Sequence, residues 1–120
     1  MTRLLLVDDE VVTRYVTAIT LERLGYTVTE TDRLELALAE PPPDVAILDV
    51  MMPRVDGFSF AAALRQRAPG LPIVFFTGSP TSTVLEKAQA LGNCLVLEKP
   101  ALPEELQDAL VSIMGTGTSC

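Results

Sequence analysis

The sequence predicts an α/β fold, a doubly wound parallel sheet of five strands with five helices covering both faces. Two patterns carry that prediction. Short, nearly all-apolar runs alternate with amphipathic stretches of helical length, and Gly or Pro stands where one pattern gives way to the other. With 120 residues, 48% hydrophobic and 21% charged, the composition suits one packed domain, expected over residues 1–114, with 115–120 as a flexible C-terminal tail.

Four runs, Leu4 to Val7, Val45 to Leu48, Ile73 to Phe76 and Leu95 to Leu97, are apolar without alternation, as expected of strands buried on both faces. Tyr26 to Glu30 alternates instead and reads as a half-covered edge strand. The first helix is marked by Val12, Tyr15, Val16 and Ile19 at helical spacing, with Gly25 after it where a left-handed residue is favoured. A weaker helical segment, Leu34 to Leu38, is preceded by Asp32, which with Glu35 resembles a capping box. Pro41, Pro42 and Pro43 form a stiff loop before the third strand. Phe60, Ala63 and Leu64 mark the third helix, and Val84, Ala88 and Leu91 the fourth, which Gly92 closes. The fifth carries Leu106, Ala109, Leu110 and Ile113; Pro103, Glu104 and Glu105 suit its first turn, while Leu102 is a poor N-cap.

Charge and residue usage narrow the function classes. A net charge of −7 repels phosphate backbones, so direct nucleic-acid binding is not expected. No apolar run reaches the length of a membrane span and none has the form of a signal peptide, which predicts a cytoplasmic protein. Cys94 and Cys120 are too few and too badly placed for a disulfide framework and read as free thiols. The chain has no histidine, which removes the usual general base and the commonest metal ligand. Its chemistry must run on carboxylates, hydroxyls or lysine.

In an open parallel sheet, ligands bind beyond the carboxyl ends of the strands. Asp8, Asp9 and Glu10 follow the first strand, Asp49 the third, Thr77 and Gly78 the fourth, and Glu98 and Lys99 the fifth. An Asp after an apolar run is by itself more often a turn former. Four strand ends supplying a complementary set outweigh that reading. Clustered carboxylates repel one another unless a cation sits among them, and oxygen ligands select a hard ion such as Mg²⁺. A carboxylate beside Mg²⁺ can attack phosphorus to form an acyl phosphate, with Lys99 neutralising the transferred oxygens and Thr77 donating a hydrogen bond. Pro100 after Lys99 points to a fixed turn that aims the lysine, and a cis peptide there is left open.

These residues carry a resemblance. Val7, Asp8, Asp9 and Glu10, then Asp49 to Pro53 with Asp56 and Gly57, then Thr77 and Gly78, then Lys99 and Pro100 look like the receiver domain of bacterial two-component response regulators. The resemblance covers essentially the whole chain and implies the CheY-like, flavodoxin-like strand order 2-1-3-4-5. It implies that Asp49 accepts a phosphoryl group from the phosphohistidine of a sensor histidine kinase or phosphotransfer protein. Mg²⁺ would be bound by Asp9 directly, by Asp8 mainly through water, by Asp49, and by the Met51 backbone carbonyl. Thr77 and Lys99 would contact the phosphoryl group, and its arrival would reshape the surface of the fourth helix, fifth strand and fifth helix for a downstream protein. Receivers of this kind occur as monomers and as dimers.

The sequence also departs from the family pattern. Val96 stands where the family commonly has a Tyr or Phe coupled to the Thr, which predicts a smaller rearrangement on phosphorylation, and Ala101 stands where a Phe often follows the Lys-Pro pair. Met51 and Ser79 resemble positions governing access of hydrolytic water, and the apolar Met51 predicts slow dephosphorylation that Met51→Asn accelerates. A Mg²⁺-dependent phosphatase of the haloacid dehalogenase class is the enzymatic rival, but it needs a second Asp two places after its nucleophile, and neither Val7 to Val11 nor Asp49 to Met51 provides such a pair. The expectation is therefore a phosphoacceptor and not a turnover enzyme. The alternative is a receiver fold used for docking or dimerisation without phosphorylation, and the sequence fits a stand-alone domain or one excised from a larger protein equally.

Overall fold

Every segment assigned from its patterning forms the expected element in the computed structural model, which describes residues 2–114. In chain order these are β1 (Arg3–Val7), α1 (Val11–Arg23), β2 (Thr27–Thr31), α2 (Leu34–Ala39), β3 (Val45–Leu48), α3 (Gly57–Arg67), β4 (Ile73–Thr77), α4 (Ser82–Leu91), β5 (Cys94–Glu98) and α5 (Pro103–Met114). The expected tail at 115–120, with Cys120, lies outside the described residues. All strands pair in parallel in the order β2-β1-β3-β4-β5.

The strand period of two sorts the apolar side chains into two cores. Leu5, Val7, Ala46, Leu48, Ile73 and Phe75 point to the face covered by α2, α3 and α4. Leu4, Leu6, Val45, Ile47, Val74 and Phe76 point to the face covered by α1 and α5. Most of these side chains are essentially inaccessible, and burying each large one is worth about 1.5–3 kcal/mol. The central strands are thus fixed on both faces, and their ends become a rigid platform.

Several local expectations need correction. Of the apolar stripe that marked α1, Val12 is 73% exposed, Tyr15 62% and Val16 57%, while Ile19 is half-buried. The buried face is Thr17, Ala18 and Leu21. Helical spacing identifies a stripe but not which of two stripes is covered. The β5 run is only half-buried, because β5 is the last strand in the order and, among the described residues, no strand pairs with its outer side. The edge strand β2 begins one residue later than its alternation indicated. Asp32 and Glu35 form no capping box: Thr31 Oγ1 accepts the Arg33 N–H, and Glu35 pairs with the Arg33 side chain.

Other terminal signals are met. Gly25, at φ +103, closes α1, with its own N–H and that of Tyr26 donating to the Glu22 and Leu21 carbonyls. Gly92 at φ +78 ends α4, followed by Asn93 at φ +51. Leu102 has no capping side chain, yet its N–H donates to Glu105 Oε1 at 2.7 Å, half of a reciprocal capping arrangement. Cys94 is free, its thiol donating to the Ala88 carbonyl, and burial raises its pKa.

Candidate functional site

The register aligns Val7 with Leu48, Leu48 with Phe75, and Thr77 with Glu98, so the residues that follow these strands meet at one edge of the sheet. That edge lies where the order reverses, with β1 leading outward to β2 on one side and β3 leading to β4 on the other. Carboxylate oxygens of Asp8, Asp9 and Asp49 lie within 4.8 Å of one another. Asp8 and Thr77 are buried, and Asp49 is only 9% exposed.

Asp8 is held at every polar atom. Its N–H donates to the Thr31 carbonyl at 3.3 Å, and its carbonyl accepts from the Arg14 guanidinium at 2.6 Å. Oδ1 accepts the Glu10 N–H at 2.9 Å, and Oδ2 accepts Lys99 Nζ at 2.8 Å. Asp9, half-buried, has no such side-chain partner among the described residues. Lys99 reaches Asp49 less closely, at 3.7 Å, and lies 5.5 Å from the centre of the Phe76 ring. The Lys99–Pro100 peptide is cis.

Burial pushes the Asp49 carboxyl up to about 6 from an ordinary 3.8; the Asp8 charge and hydrogen bond push the same way, while Lys99 and the Met51 N–H oppose. One ammonium, Lys99, stands among three gathered carboxylates, and hard oxygen donors clustered in this way suit a divalent cation. Thr77 Oγ1 accepts the Ser79 N–H at 3.0 Å, which leaves its own O–H free to donate. The Met51 main chain stands beside Asp49, whereas the Met51 and Ser79 side chains are exposed at the rim. Val96 lies opposite Phe75 in the sheet and packs into the core under α3 and α4; on that face the Phe58 and Phe75 rings meet at a tilt of 42° with centroids 4.6 Å apart. Ala101 packs into the other core.

The loop carrying Asp49 is shaped by two residues after it. Asp56 caps α3 by accepting the Ser59 N–H, and the Gly57 N–H donates to the Val50 carbonyl at 2.8 Å. A Cβ on Gly57 would collide with the Asp49 carbonyl oxygen and stand 2.9 Å from Val50 Cα. Gly57→Ala is expected to lower stability by about 1–3 kcal/mol through this overlap. Urea denaturation checks it, and an unchanged midpoint would show that the loop shifts freely.

Asp8, Asp9, Asp49, Met51, Thr77, Ser79 and Lys99 thus gather at this edge, whereas Val96 lies within β5 and Ala101 packs into a core. Sequence reasoning missed Arg14 and Thr31, which hold Asp8 from behind. Arg14 was detectable in principle, as a charged residue in line with the buried Thr17, Ala18 and Leu21.

The model of the response regulator receiver domain matches residues 4–111. The transcriptional regulatory protein GltR of Pseudomonas aeruginosa is 37% identical over 108 residues, which are 86% of this chain and 45% of GltR. The chain spans about half the length of the curated relatives it matches. The chemotaxis protein CheY4 of Vibrio cholerae superposes with a TM-score of 0.86 at 31% identity, covering 94% of this chain and 98% of that one. TrrA of Thermotoga maritima, solved in complex with Mg²⁺ and BeF, gives 0.79 at 25% identity, covering 94% and 99%. The chain belongs to the response regulator receiver domain family, and its fold is the CheY-like one. Its place is in two-component signal transduction. Among the described residues no helix is long and apolar enough to cross a membrane.

Proposed function

We propose that Asp49 is the phosphoacceptor of a His-to-Asp relay and that Mg²⁺ assists the transfer. The observation that carries this reading is the convergence of Asp8, Asp9 and Asp49 within 4.8 Å, with Lys99 inserted among them. Asp8, Asp9, Asp49 and the Met51 carbonyl would hold the ion, which when bound supplies charge neutralisation at the transferring oxygens. An Asp49 carboxylate oxygen attacks phosphorus, the O–P bond forms as the donor's N–P bond breaks, and the donor imidazole leaves. Lys99 is already within reach of Asp49 and neutralises charge on the phosphoryl oxygens. Thr77 turns its free O–H toward them. The absence of histidine fits an acceptor whose donor imidazole belongs to another protein.

Readout runs through α4, β5 and α5, where Leu85 is 49% and Val111 50% exposed and available to a protein target. With Val96 in place of an aromatic residue, the rearrangement there is small. Met51 at the rim slows hydrolysis, and the chain does not turn over small phosphates. Monomer and weak dimer are both compatible with this surface.

The test is incubation with acetyl phosphate followed by intact mass measurement. One phosphoryl adduct is expected, dependent on Mg²⁺ and lost on chelation; no adduct would favour the phosphorylation-independent docking module, and continuous phosphate release from a phosphomonoester would favour the phosphatase.

The donor's approach is supported by the exposed α1 stripe. Val12, Tyr15 and Val16 lie on the helix that starts two residues after Asp9, and apolar residues left open beside a reactive site mark a contact surface. Replacing Val12 with Asp and Tyr15 with Ser is expected to slow transfer from a phosphohistidine protein at least about tenfold, with the acetyl phosphate rate unchanged. Equal slowing with both donors would place the damage in the site itself.

A further inference from the structure

We propose that Arg14 is a positioning residue for Asp9, acting through the Asp8–Asp9 peptide. The inference rests on the reading of the carboxylate cluster as a Mg²⁺ site. The Arg14 guanidinium donates to the Asp8 carbonyl oxygen at 2.6 Å. That carbonyl, the Asp9 N–H and the Asp9 Cα belong to one planar unit, so fixing the first fixes the point from which the Asp9 side chain departs and leaves only the rotation about its N–Cα bond. Asp8 has its own supports in Thr31, Glu10 and Lys99. Asp9 has none from any side chain among the described residues, and its placement depends on the peptide that Arg14 grips.

Arg14 is itself constrained. Its side chain is 19% exposed, its backbone N–H bonds to the Glu10 carbonyl, and its Nε lies 3.4 Å from Glu30 Oε1 at the end of β2. Nε is buried and has no hydrogen bond of good geometry, so Glu30 steers the guanidinium by charge while the strong directed bond goes to Asp8. The helix that carries the exposed apolar stripe thereby also carries the group that holds the peptide leading into Asp9. A guanidinium so fixed cannot be matched by an ammonium, whose point charge lacks the fork geometry.

Magnesium titration followed by amide NMR shifts tests this in the wild type, Arg14→Ala, Arg14→Lys and the control Arg67→Ala. Arg67 also donates to backbone carbonyls, those of Leu38 and Glu40, but away from the site. Arg14→Ala is expected to weaken Mg²⁺ binding about tenfold, the scale on which outer supports of metal ligands act. Arg14→Lys should weaken it about threefold, and Arg67→Ala should leave it unchanged even where it lowers Tm. If Arg14→Ala does not fold, the Arg14→Lys value decides. A lowered Tm with wild-type Mg²⁺ affinity in the Arg14 variants would make Arg14 purely structural and overturn the inference while leaving the functional reading intact. A wild type that binds no Mg²⁺ would overturn both.

Discussion

Lys99→Ala is expected to slow phosphorylation of Asp49 by about 100-fold, the scale of losing one preorganised charge-stabilising donor. Two effects act in the same direction. Lys99 is the cation that reaches both Asp8, at 2.8 Å, and Asp49, at 3.7 Å, so its loss removes the group that meets charge developing on the phosphoryl oxygens. It also removes an influence that lowers the Asp49 pKa, which burial and Asp8 already hold near 6. Without Lys99 that value rises further, and at neutral pH a larger share of Asp49 is protonated and unable to attack. The rate of adduct formation with acetyl phosphate, followed from pH 5.5 to pH 8.5 on the order of half-unit steps, separates the two. A variant that regains wild-type rate at high pH would limit Lys99 to tuning Asp49; a variant equal to wild type throughout would remove Lys99 from the site.

Asp49→Asn is expected to make the metal-free protein more stable at neutral pH. The folded state holds the Asp49 carboxyl at about 6 against an ordinary 3.8, so it binds that proton more tightly than the unfolded chain does. The group's contribution is therefore fully present below about 3.8 and is lost as pH rises through about 6. Asparagine does not titrate and suffers no such loss. The variant should exceed the wild type above that range by on the order of 1–3 kcal/mol, and the gap should close toward the acid end. Urea denaturation in the presence of a chelator measures it, and a gap independent of pH would mean that Asp49 carries no unfavourable charge when folded.

The legible part of the structure was the part governed by period and punctuation. Val45 to Leu48 forms a strand with the bounds its apolar run has, and Leu106 and Leu110 face the core as their spacing indicated. The site was legible for the same reason: polar residues placed directly after central strands have nowhere to go but the shared edge. What sequence could not supply was the choice between equivalent surfaces. On α1, two stripes compete, and the one with Thr17, Ala18 and Leu21 is the one buried. On β5, the run Leu95 to Leu97 has central-strand composition, and its edge position followed only from the strand order that the family resemblance implied. Long-range polar contacts were equally hidden, since Arg14 meets Glu30 only once β2 lies beside β1.

The central claim, that Asp49 itself becomes the acyl phosphate, is tested most directly by trapping that bond. Borohydride reduces an aspartyl phosphate to the alcohol, and peptide sequencing by mass spectrometry then locates the change. After reaction with acetyl phosphate and Mg²⁺, the account predicts homoserine at position 49 and unchanged aspartates at Asp8 and Asp9. Homoserine at either of those positions, or a phosphate that resists borohydride and stays on Thr77 or Ser79, would contradict it.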